Sequence, residues 1–235
     1  MKKQILCLAV LCMALCLPGC SGGGETLQTM READQESIET DQESTETNEN
    51  SENREVLIAY FSWADNAEEY DLEEIGVDAL GHASVVAPGD VGLLAEYIQE
   101  ATEADIFKIT TAEKYSSSYN TCLDQAKEQI DHGVQPELSE HMEHMEDYSV
   151  IFLGFPNWWY TIPPAVKSFA KTHDLAGKTI IPFVSHGTGG LAGTIRDLTA
   201  ILPEDCSVLE PYDIYEDDIP GAREEVEEWI DTLTY

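Results

Sequence analysis

Three consecutive aromatic residues, Trp158, Trp159 and Tyr160, follow directly after an apolar run in this sequence. Side chains of this kind in a loop can stack on a flat ligand. A loop at the edge of a sheet cannot bury all three of these side chains, so we expect at least one of them to line a crevice. The alternative is that all three pack on the neighbouring helix and sheet. Pro156 and Asn157 precede them in the same loop.

A second loop that could bind a ligand runs from Ser185 to Gly193 and is rich in glycine. Glycines allow the backbone to approach a ligand closely and to present its N–H groups as donors. Ser185 and His186 are adjacent, but neither lies in a Gly-x-Ser-x-Gly motif, which argues against a hydrolase nucleophile. The candidate ligand-binding residues here are Ser185, His186, Gly187, Thr188, Gly190 and Gly193.

A third loop follows Ser62 and Trp63 and continues to a predicted helix start at Gly89-Asp90-Val91-Gly92. Free backbone N–H groups at a helix start, near the positive end of its dipole, suit an anion. The alternative is an ordinary helix cap made by Asp90. The stretch 63–88 between them is unusually long, and such loops in compact domains are functional or disordered.

Apolar runs and helical spacings alternate along the chain and predict the elements that position these loops. Predicted strands are 56–62, 105–110, 148–153, 179–184 and one opening at 207–209. Predicted helices are 91–102, 119–130, 163–172, 194–202 and 222–233. The predicted strands are continuously apolar, without alternating polar residues, and helices join them, which predicts a parallel sheet covered on both faces. We therefore predict a doubly wound α/β fold with a five-stranded parallel sheet in the order 2-1-3-4-5, whose ligand crevice lies at the strands' carboxyl ends.

The stretches 57–63, 154–164 and 185–193 together resemble the flavodoxin family. The likeness is to flavodoxin-like lipoproteins and oxidoreductases that have a Gly-x-Pro-x-Trp-Trp loop, and it covers about 56–234. It implies noncovalent FMN, with phosphate at the first loop and the ring between the aromatic and glycine-rich loops. The implied binding residues are Ser62, Trp63, Gly89, Asp90, Val91, Gly92, Pro156, Asn157, Trp158, Trp159, Tyr160, Ser185, His186, Gly187, Thr188, Gly190 and Gly193.

The chain departs from this family pattern at the first loop. The family's phosphate loop continues directly into its helix, whereas residues 63–88 are inserted here, and Val91 stands where a threonine is expected. We expect the inserted segment, rather than a threonine hydroxyl, to complete or close the phosphate site.

The resemblance implies an FMN-binding electron-transfer protein or a small flavin-dependent reductase with an unknown redox partner. Two alternatives stay open: a flavodoxin-fold binding module without redox turnover, and an NAD(P)H:quinone reductase. Acids outnumber basic residues 35 to 8 in residues 56–235, so a low flavin potential is expected.

The formal charge of the whole chain is −34, from 46 acidic and 12 basic residues. A surface this negative repels phosphate backbones and anionic lipid headgroups, which argues against nucleic-acid binding and against membrane adhesion through a basic patch. Cationic partners are the class that this charge favours.

The first twenty residues predict an export signal: two lysines, a short apolar run and then small residues. The run ends in Leu17-Pro18-Gly19-Cys20, which resembles a lipobox. This resemblance implies that Cys20 is acylated and that the protein is anchored to the bacterial cell membrane or surface; plain secretion is the alternative. Residues 1–20 are thus predicted to be a lipoprotein signal peptide, 21–55 a disordered acidic tether, and 56–235 the folded domain.

Two cysteines remain in the predicted domain, Cys122 and Cys206. The predicted strand order places them too far apart for a disulfide, because Cα atoms must approach within about 7 Å. We therefore predict two unpaired thiols, and the spacing of the cysteines matches no metal site.

Overall fold

The computed structural model describes residues 55–72, 75–76 and 85–235. The predicted signal peptide, its Cys20 and almost all of the predicted tether lie outside these described residues. Within the described ranges, no helix is long and apolar enough to cross a membrane. The first strand begins at Glu55, one residue before the predicted start of the folded domain.

A parallel sheet forms the centre of the structure. Its strands are β1 (Glu55–Tyr60), β2 (Asp105–Lys108), β3 (Tyr148–Pro156), β4 (Thr179–His186), β5 (Ser207–Val208) and β6 (Tyr212–Tyr215). The order is β2-β1-β3-β4-β5, with β6 also paired to β4, and every pairing is parallel. The predicted doubly wound order 2-1-3-4-5 is confirmed.

The fifth position in the sheet is occupied by two short strands. β5 pairs with the start of β4, at Thr179 and Ile180. β6 pairs with the end of β4, from Phe183 to His186. Between them lies Pro211, which has no N–H to donate to a sheet. The strand predicted to open at Ser207 therefore stops after two residues, and β6 takes its place at the carboxyl edge of the sheet.

Six α-helices accompany the described strands. They are α1 (Trp63–Asn66), α2 (Gly89–Thr102), α3 (Tyr119–His132), α4 (Pro164–Thr172), α5 (Thr194–Thr199) and α6 (Arg223–Thr232), with 3-10 turns at Met145–Asp147 and Glu216–Gly221. The four-residue α1 is absent from the prediction, and α5 ends three residues earlier than expected. Pro164 begins α4, where a missing N–H costs nothing because it has no partner in the helix.

Both faces of the sheet are buried, as the unbroken apolar strands predict. Ile58, Phe152 and Ile181 align across β1, β3 and β4 and point to one face, under α2 and α6. Their neighbours Leu57, Ile151 and Ile180 point to the opposite face, under α3, α4 and α5. The strand ends that carry the three loops are therefore held by a core on each side.

Gly154 in β3 permits a close approach that a larger residue would prevent. A Cβ atom added there would lie 2.1 Å from Cζ of Phe183 on the neighbouring strand. Phe183 is completely buried, so its ring has no room to move. The glycine therefore lets this ring pack across β3, just before the aromatic loop begins.

His173, directly after α4, joins two segments through its ring. Its Nε2 accepts from the Met142 N–H at 2.9 Å, and its Nδ1 donates to the Phe169 carbonyl at 3.0 Å. Both bonds together require the neutral ring. Burial lowers the pKa of His173, and the carbonyl of Phe169 partly opposes this shift.

Cys122 is buried in α3, and Cys206 is half-buried just before β5; both are free thiols. Cys206 Sγ lies 2.9 Å from the Leu175 carbonyl. The two cysteines thus belong to different elements, as the strand order requires.

Candidate functional site

A cavity of about 470 Å³ opens at the carboxyl ends of β1, β3 and β4, where the fold predicts a ligand crevice. This volume lies within the usual range for small-molecule sites. All three loops singled out in the sequence contribute to its wall, together with one face of α3 and the end of β6. Its lining residues are Ser62, Trp63, Asp90, Val91, Tyr119, Cys122, Leu123, Ala126, Pro156, Asn157, Trp158, Trp159, Tyr160, Ser185, His186, Gly187, Thr188, Gly189, Tyr215 and Glu216.

Trp158 lines the cavity and also packs into the core beneath it. Its ring meets the rings of Phe61 and Tyr115 edge to face, each at a centroid distance of 5.1 Å. Such pairs contribute about 0.5–1.5 kcal/mol each beyond the burial of area. Backbone hydrogen bonds between Trp158 and Thr161 at 3.1 Å close the loop into a tight turn. Trp158 is therefore a fixed part of the wall.

Trp159 and Tyr160 form the outer part of the same wall. Both residues have positive φ angles, 50° and 64°, which turn the chain back sharply after Trp158. The Trp159 indole N–H donates to the Leu123 carbonyl in α3 at 3.0 Å, while the side chains of Trp159 and Tyr160 remain 39% and 64% exposed. At least one of these three aromatic residues was expected to line a crevice, and all three line this cavity.

The glycine-rich loop after β4 is tied to the aromatic loop by several hydrogen bonds. The Asn157 N–H donates to the Ser185 carbonyl at 2.8 Å, and the Asn157 side-chain amide donates to the Gly190 carbonyl. Gly189 packs so closely under Tyr160 that a Cβ would lie 2.9 Å from that ring. A side chain at 189 would therefore displace the Tyr160 ring from its contact with this loop.

Two polar side chains in this wall have distinct environments. The Asn157 Oδ1 atom is buried and has no hydrogen-bond partner among the described residues. His186 Nδ1 lies 2.9 Å from the Gly187 carbonyl, and its Nε2 lies 3.1 Å from Asp213 Oδ2. An unsatisfied acceptor and a doubly bonded imidazole thus belong to residues that line the cavity.

The first loop differs from its prediction, because a short helix begins at once. Ser62 caps α1: its Oγ accepts from the Asp65 N–H at 3.1 Å and donates to the Asp65 carboxylate at 2.6 Å. Asp65 also pairs with Lys108 at 2.6 Å. The Asn66 side chain is buried and donates to the carbonyls of Ser62 and Ile109. These bonds fix the turn after β1 and place Trp63 in the cavity wall.

The start of α2 forms the adjoining part of the wall through Asp90 and Val91. Pro88, not Asp90, occupies the N-cap position, and Asp90 lies in the first turn. Gly89 has a φ of 72° and is buried. A Cβ on Gly92 would come within 3.1 Å of Pro88 Cβ and 3.6 Å of the Tyr60 hydroxyl, so this glycine serves helix packing.

Most of the residues predicted to bind a ligand therefore meet at one cavity. Four of them do not line it, namely Gly89, Gly92, Gly190 and Gly193. Gly193 instead lies beside Arg196 and donates its N–H to the Tyr160 carbonyl at 3.2 Å. The side-chain positions of these four glycines therefore lie outside the cavity wall, and their predicted contact with a ligand stays a prediction.

Seven lining residues are missing from the sequence prediction: Tyr119, Cys122, Leu123, Ala126, Gly189, Tyr215 and Glu216. Four of these come from one face of α3. The helical spacing places Leu123 and Ala126 on one face of the predicted helix 119–130, and the start of a helix after β2 reaches this edge of the sheet. The alternation Tyr212-Asp213-Ile214-Tyr215 is a strand signal that could have placed Tyr215 here.

The Cys122 thiol is not a reactive group of this cavity. Burial raises its pKa to about 12, so it stays protonated at neutral pH. Among the described residues no group of three or more His, Cys, Asp or Glu side chains could hold a metal ion. The wall of the cavity is thus rich in aromatic residues, and its acidic and imidazole side chains are those of Asp90, Glu216 and His186.

Known proteins with the same fold include flavoproteins. The model of a family described as Flavodoxin matches residues 82–233. A candidate flavoprotein from Bacteroides eggerthii DSM 20697 is 21% identical with a TM-score of 0.57, covering 76% of this chain and 97% of that chain. A flavoprotein in complex with FMN from Lactobacillus acidophilus NCFM is 16% identical with a TM-score of 0.52, covering 75% and 99%. At these identities the likeness shows the shared fold. No curated protein matches the chain.

Proposed function

The chain belongs to the flavodoxin family, and we propose that it binds FMN noncovalently in this cavity and works as an electron carrier or small flavin-dependent reductase. The observation that supports this proposal most is the cavity itself, about 470 Å³ in volume and walled by Trp63, Tyr119, Trp158 and Trp159. Aromatic walls of this kind suit a flat heterocycle. The FMN complex of the Lactobacillus acidophilus protein, which has the same fold, supports the choice of ligand.

The residues present fit the ring of FMN. Asn157 Oδ1 is a buried acceptor without a partner in the cavity wall. Such an atom is costly to leave unsatisfied, and a ring N–H is the kind of donor that would satisfy it. Gly187 lines the cavity and has no side chain, which allows a planar group to approach the backbone there closely. When bound, FMN supplies the reversible uptake of electrons, while this chain binds and orients it and restricts its access to water.

The phosphate end would be held by backbone groups rather than by a basic side chain. Among the described residues that line the cavity, none is lysine or arginine. The first turn of α2 offers N–H groups and the positive end of the helix dipole, while the Asp90 carboxylate opposes a dianion there. We therefore expect modest affinity for the phosphate.

The segment inserted after β1 is proposed to close this end of the site. Of its described residues, Trp63 alone lines the cavity, and the Tyr70 hydroxyl donates to the Val85 carbonyl at 3.1 Å. Replacing residues 73–84 with a short Gly-Ser linker preserves both of those residues. The replacement should weaken FMN much more than riboflavin, which lacks the phosphate. An equal effect on the two ligands would assign the segment to another role.

Redox turnover is tested on protein reconstituted with FMN. We expect a visible flavin absorption band that bleaches on anaerobic addition of dithionite and returns when an electron acceptor such as cytochrome c is added. A bound flavin that cannot be cycled in this way would indicate a binding module without redox turnover. Rapid oxidation of NADH only when a quinone is present would indicate the quinone reductase instead.

We propose that this domain works at the bacterial cell surface, tethered through acylated Cys20. The lipobox-like sequence that ends at Cys20 and the acidic stretch after it support this placement. In a bacterial host, the full-length protein should partition with the membrane fraction, and Cys20→Ser should prevent lipid labelling. Equal labelling of both forms would refute the assignment of this cysteine.

A further inference from the structure

His186 makes two hydrogen bonds that a neutral imidazole cannot make together. Its Nδ1 lies 2.9 Å from the Gly187 carbonyl oxygen, and its Nε2 lies 3.1 Å from Asp213 Oδ2. A carbonyl oxygen and a carboxylate oxygen only accept hydrogen bonds, whereas a neutral imidazole has a single N–H. The two contacts are both hydrogen bonds only if both ring nitrogens carry a proton.

His186 belongs to the wall of the cavity, and its side chain is only 13% exposed. Its partner Asp213 is not among the lining residues, and its side chain is 40% exposed. Of this pair, His186 is therefore the member that borders the ligand space. No lysine or arginine is among the described lining residues, so His186 is the side chain there that can carry a positive charge.

The other ionisable groups near His186 come from β6 and the turn after it. The Tyr215 ring lies 6.4 Å from the imidazole ring, centroid to centroid. The Glu216 carboxylate oxygens lie 3.6 and 3.7 Å from the position of a Cβ on Gly187, next to His186. Asp213 and Glu216 are therefore two acidic residues close to His186, and Asp213 contacts its ring directly.

We propose that His186 is a positioning residue for charge: it is held as imidazolium by Asp213 and Gly187, and it stabilises the reduced flavin. This inference rests on the proposed function. Addition of two electrons from a donor and one proton from solvent to the oxidised ring leaves one extra negative charge on it. The imidazolium keeps its own proton and offsets that charge.

A positive charge on His186 would oppose the effect of the acidic residues, from which a low flavin potential is expected. Most of the 35 acids of residues 56–235 lie on a solvated surface, where salt screens charges beyond about 8 Å. A cation in the cavity wall acts at shorter range and with less screening. His186 should therefore raise the affinity for the reduced ligand relative to the oxidised one.

The protonation state is tested first, without any flavin. ¹⁵N NMR of the histidine rings in the apoprotein at pH 7 should show both nitrogens of His186 protonated. Asp213→Asn should shift the ring toward its neutral form. Asp217→Asn removes an exposed carboxylate of the same region that makes no bond to His186, and it should leave the ring charged. A neutral His186 in the unmutated apoprotein would overturn the proposal.

The effect on the ligand is tested with His186→Gln, which keeps a polar side chain without the charge. The affinities for oxidised and reduced FMN are measured on the same preparations. Their reduced-to-oxidised ratio should fall about tenfold, equivalent to a midpoint potential about 30 mV lower for a two-electron couple. An unchanged ratio in a variant that still binds FMN would refute this role alone. Absence of FMN binding by the unmutated protein would refute the proposed function, and this role with it.

Discussion

Replacement of Trp159 by alanine separates ligand binding from folding more cleanly than replacement of Trp158. Trp159 is 39% exposed, and the one hydrogen bond of its indole joins the loop to α3 through the Leu123 carbonyl. Loss of that bond should reduce the free energy of unfolding by only about 0.5–1.5 kcal/mol. Stacking of a ring on an aromatic side chain contributes about 1–3 kcal/mol. The dissociation constant for FMN should therefore rise about 5- to 150-fold.

Trp158→Ala should behave differently, because Trp158 supports the core as well as the cavity. It loses two edge-to-face contacts, with Phe61 and Tyr115, which together contribute about 1–3 kcal/mol to folding. Its free energy of unfolding should therefore fall more than that of Trp159→Ala.

The assay combines a titration of each apoprotein with FMN, followed by quenching of flavin fluorescence, with urea unfolding followed by circular dichroism. Trp229→Phe is the matched control, since Trp229 packs against Phe152 and Tyr212 on the opposite face of the sheet. The control should bind FMN with unchanged affinity. Unchanged affinity in both Trp158→Ala and Trp159→Ala would refute the assignment of the ring to this wall.

Two further predictions concern folding. Gly154→Ala should reduce the free energy of unfolding by about 1–3 kcal/mol or more, because its Cβ would lie 2.1 Å from the buried ring of Phe183. Gly221→Ala is the control and should be nearly neutral, because nothing lies within 4 Å of the added Cβ. Equal stabilities of the two variants in urea would contradict the packing around Gly154. Burial lowers the pKa of His173 in the folded protein below 6.5, its value in the unfolded chain. As the pH falls, His173 is therefore protonated in the unfolded chain before it is protonated in the folded protein. Its contribution to the free energy of unfolding is complete above pH 6.5 and is lost as the pH falls below that value. His173→Gln should therefore flatten the decline in unfolding free energy between pH 7 and pH 5. A decline as steep as that of the unmutated protein would contradict this account.

The strand order and the place of the cavity follow from sequence because the buried strands are continuous apolar runs with helices between them. Val150 to Phe155 and Ile180 to Val184 are buried throughout, so each run has one consistent interpretation. The loops that follow such strands must meet at one edge of the sheet. This is why the aromatic and glycine-rich loops could be assigned to a common site before any contact was known.

The parts of the site that sequence could not provide depend on tertiary contacts. Periodicity places Leu123 and Ala126 on one face of α3 but cannot tell that this face borders a cavity as well as the core. The division of the fifth strand depends on Pro211, and the bonds of His186 depend on the β6 register that places Asp213 beside it. Gly92 was assigned to a ligand because a glycine at a helix start has the same sequence signature whether it packs or binds.

The most direct test of the central claim, that FMN binds in this cavity, uses the four tryptophan indole N–H signals in a ¹H–¹⁵N spectrum. Trp63, Trp158 and Trp159 line the cavity, whereas Trp229 is partly buried and packs against the core on the opposite face of the sheet. Addition of FMN to the apoprotein should shift or broaden the first three signals and leave that of Trp229 in place. A saturating titration that leaves all four unchanged, or that moves Trp229 alone, would contradict the account.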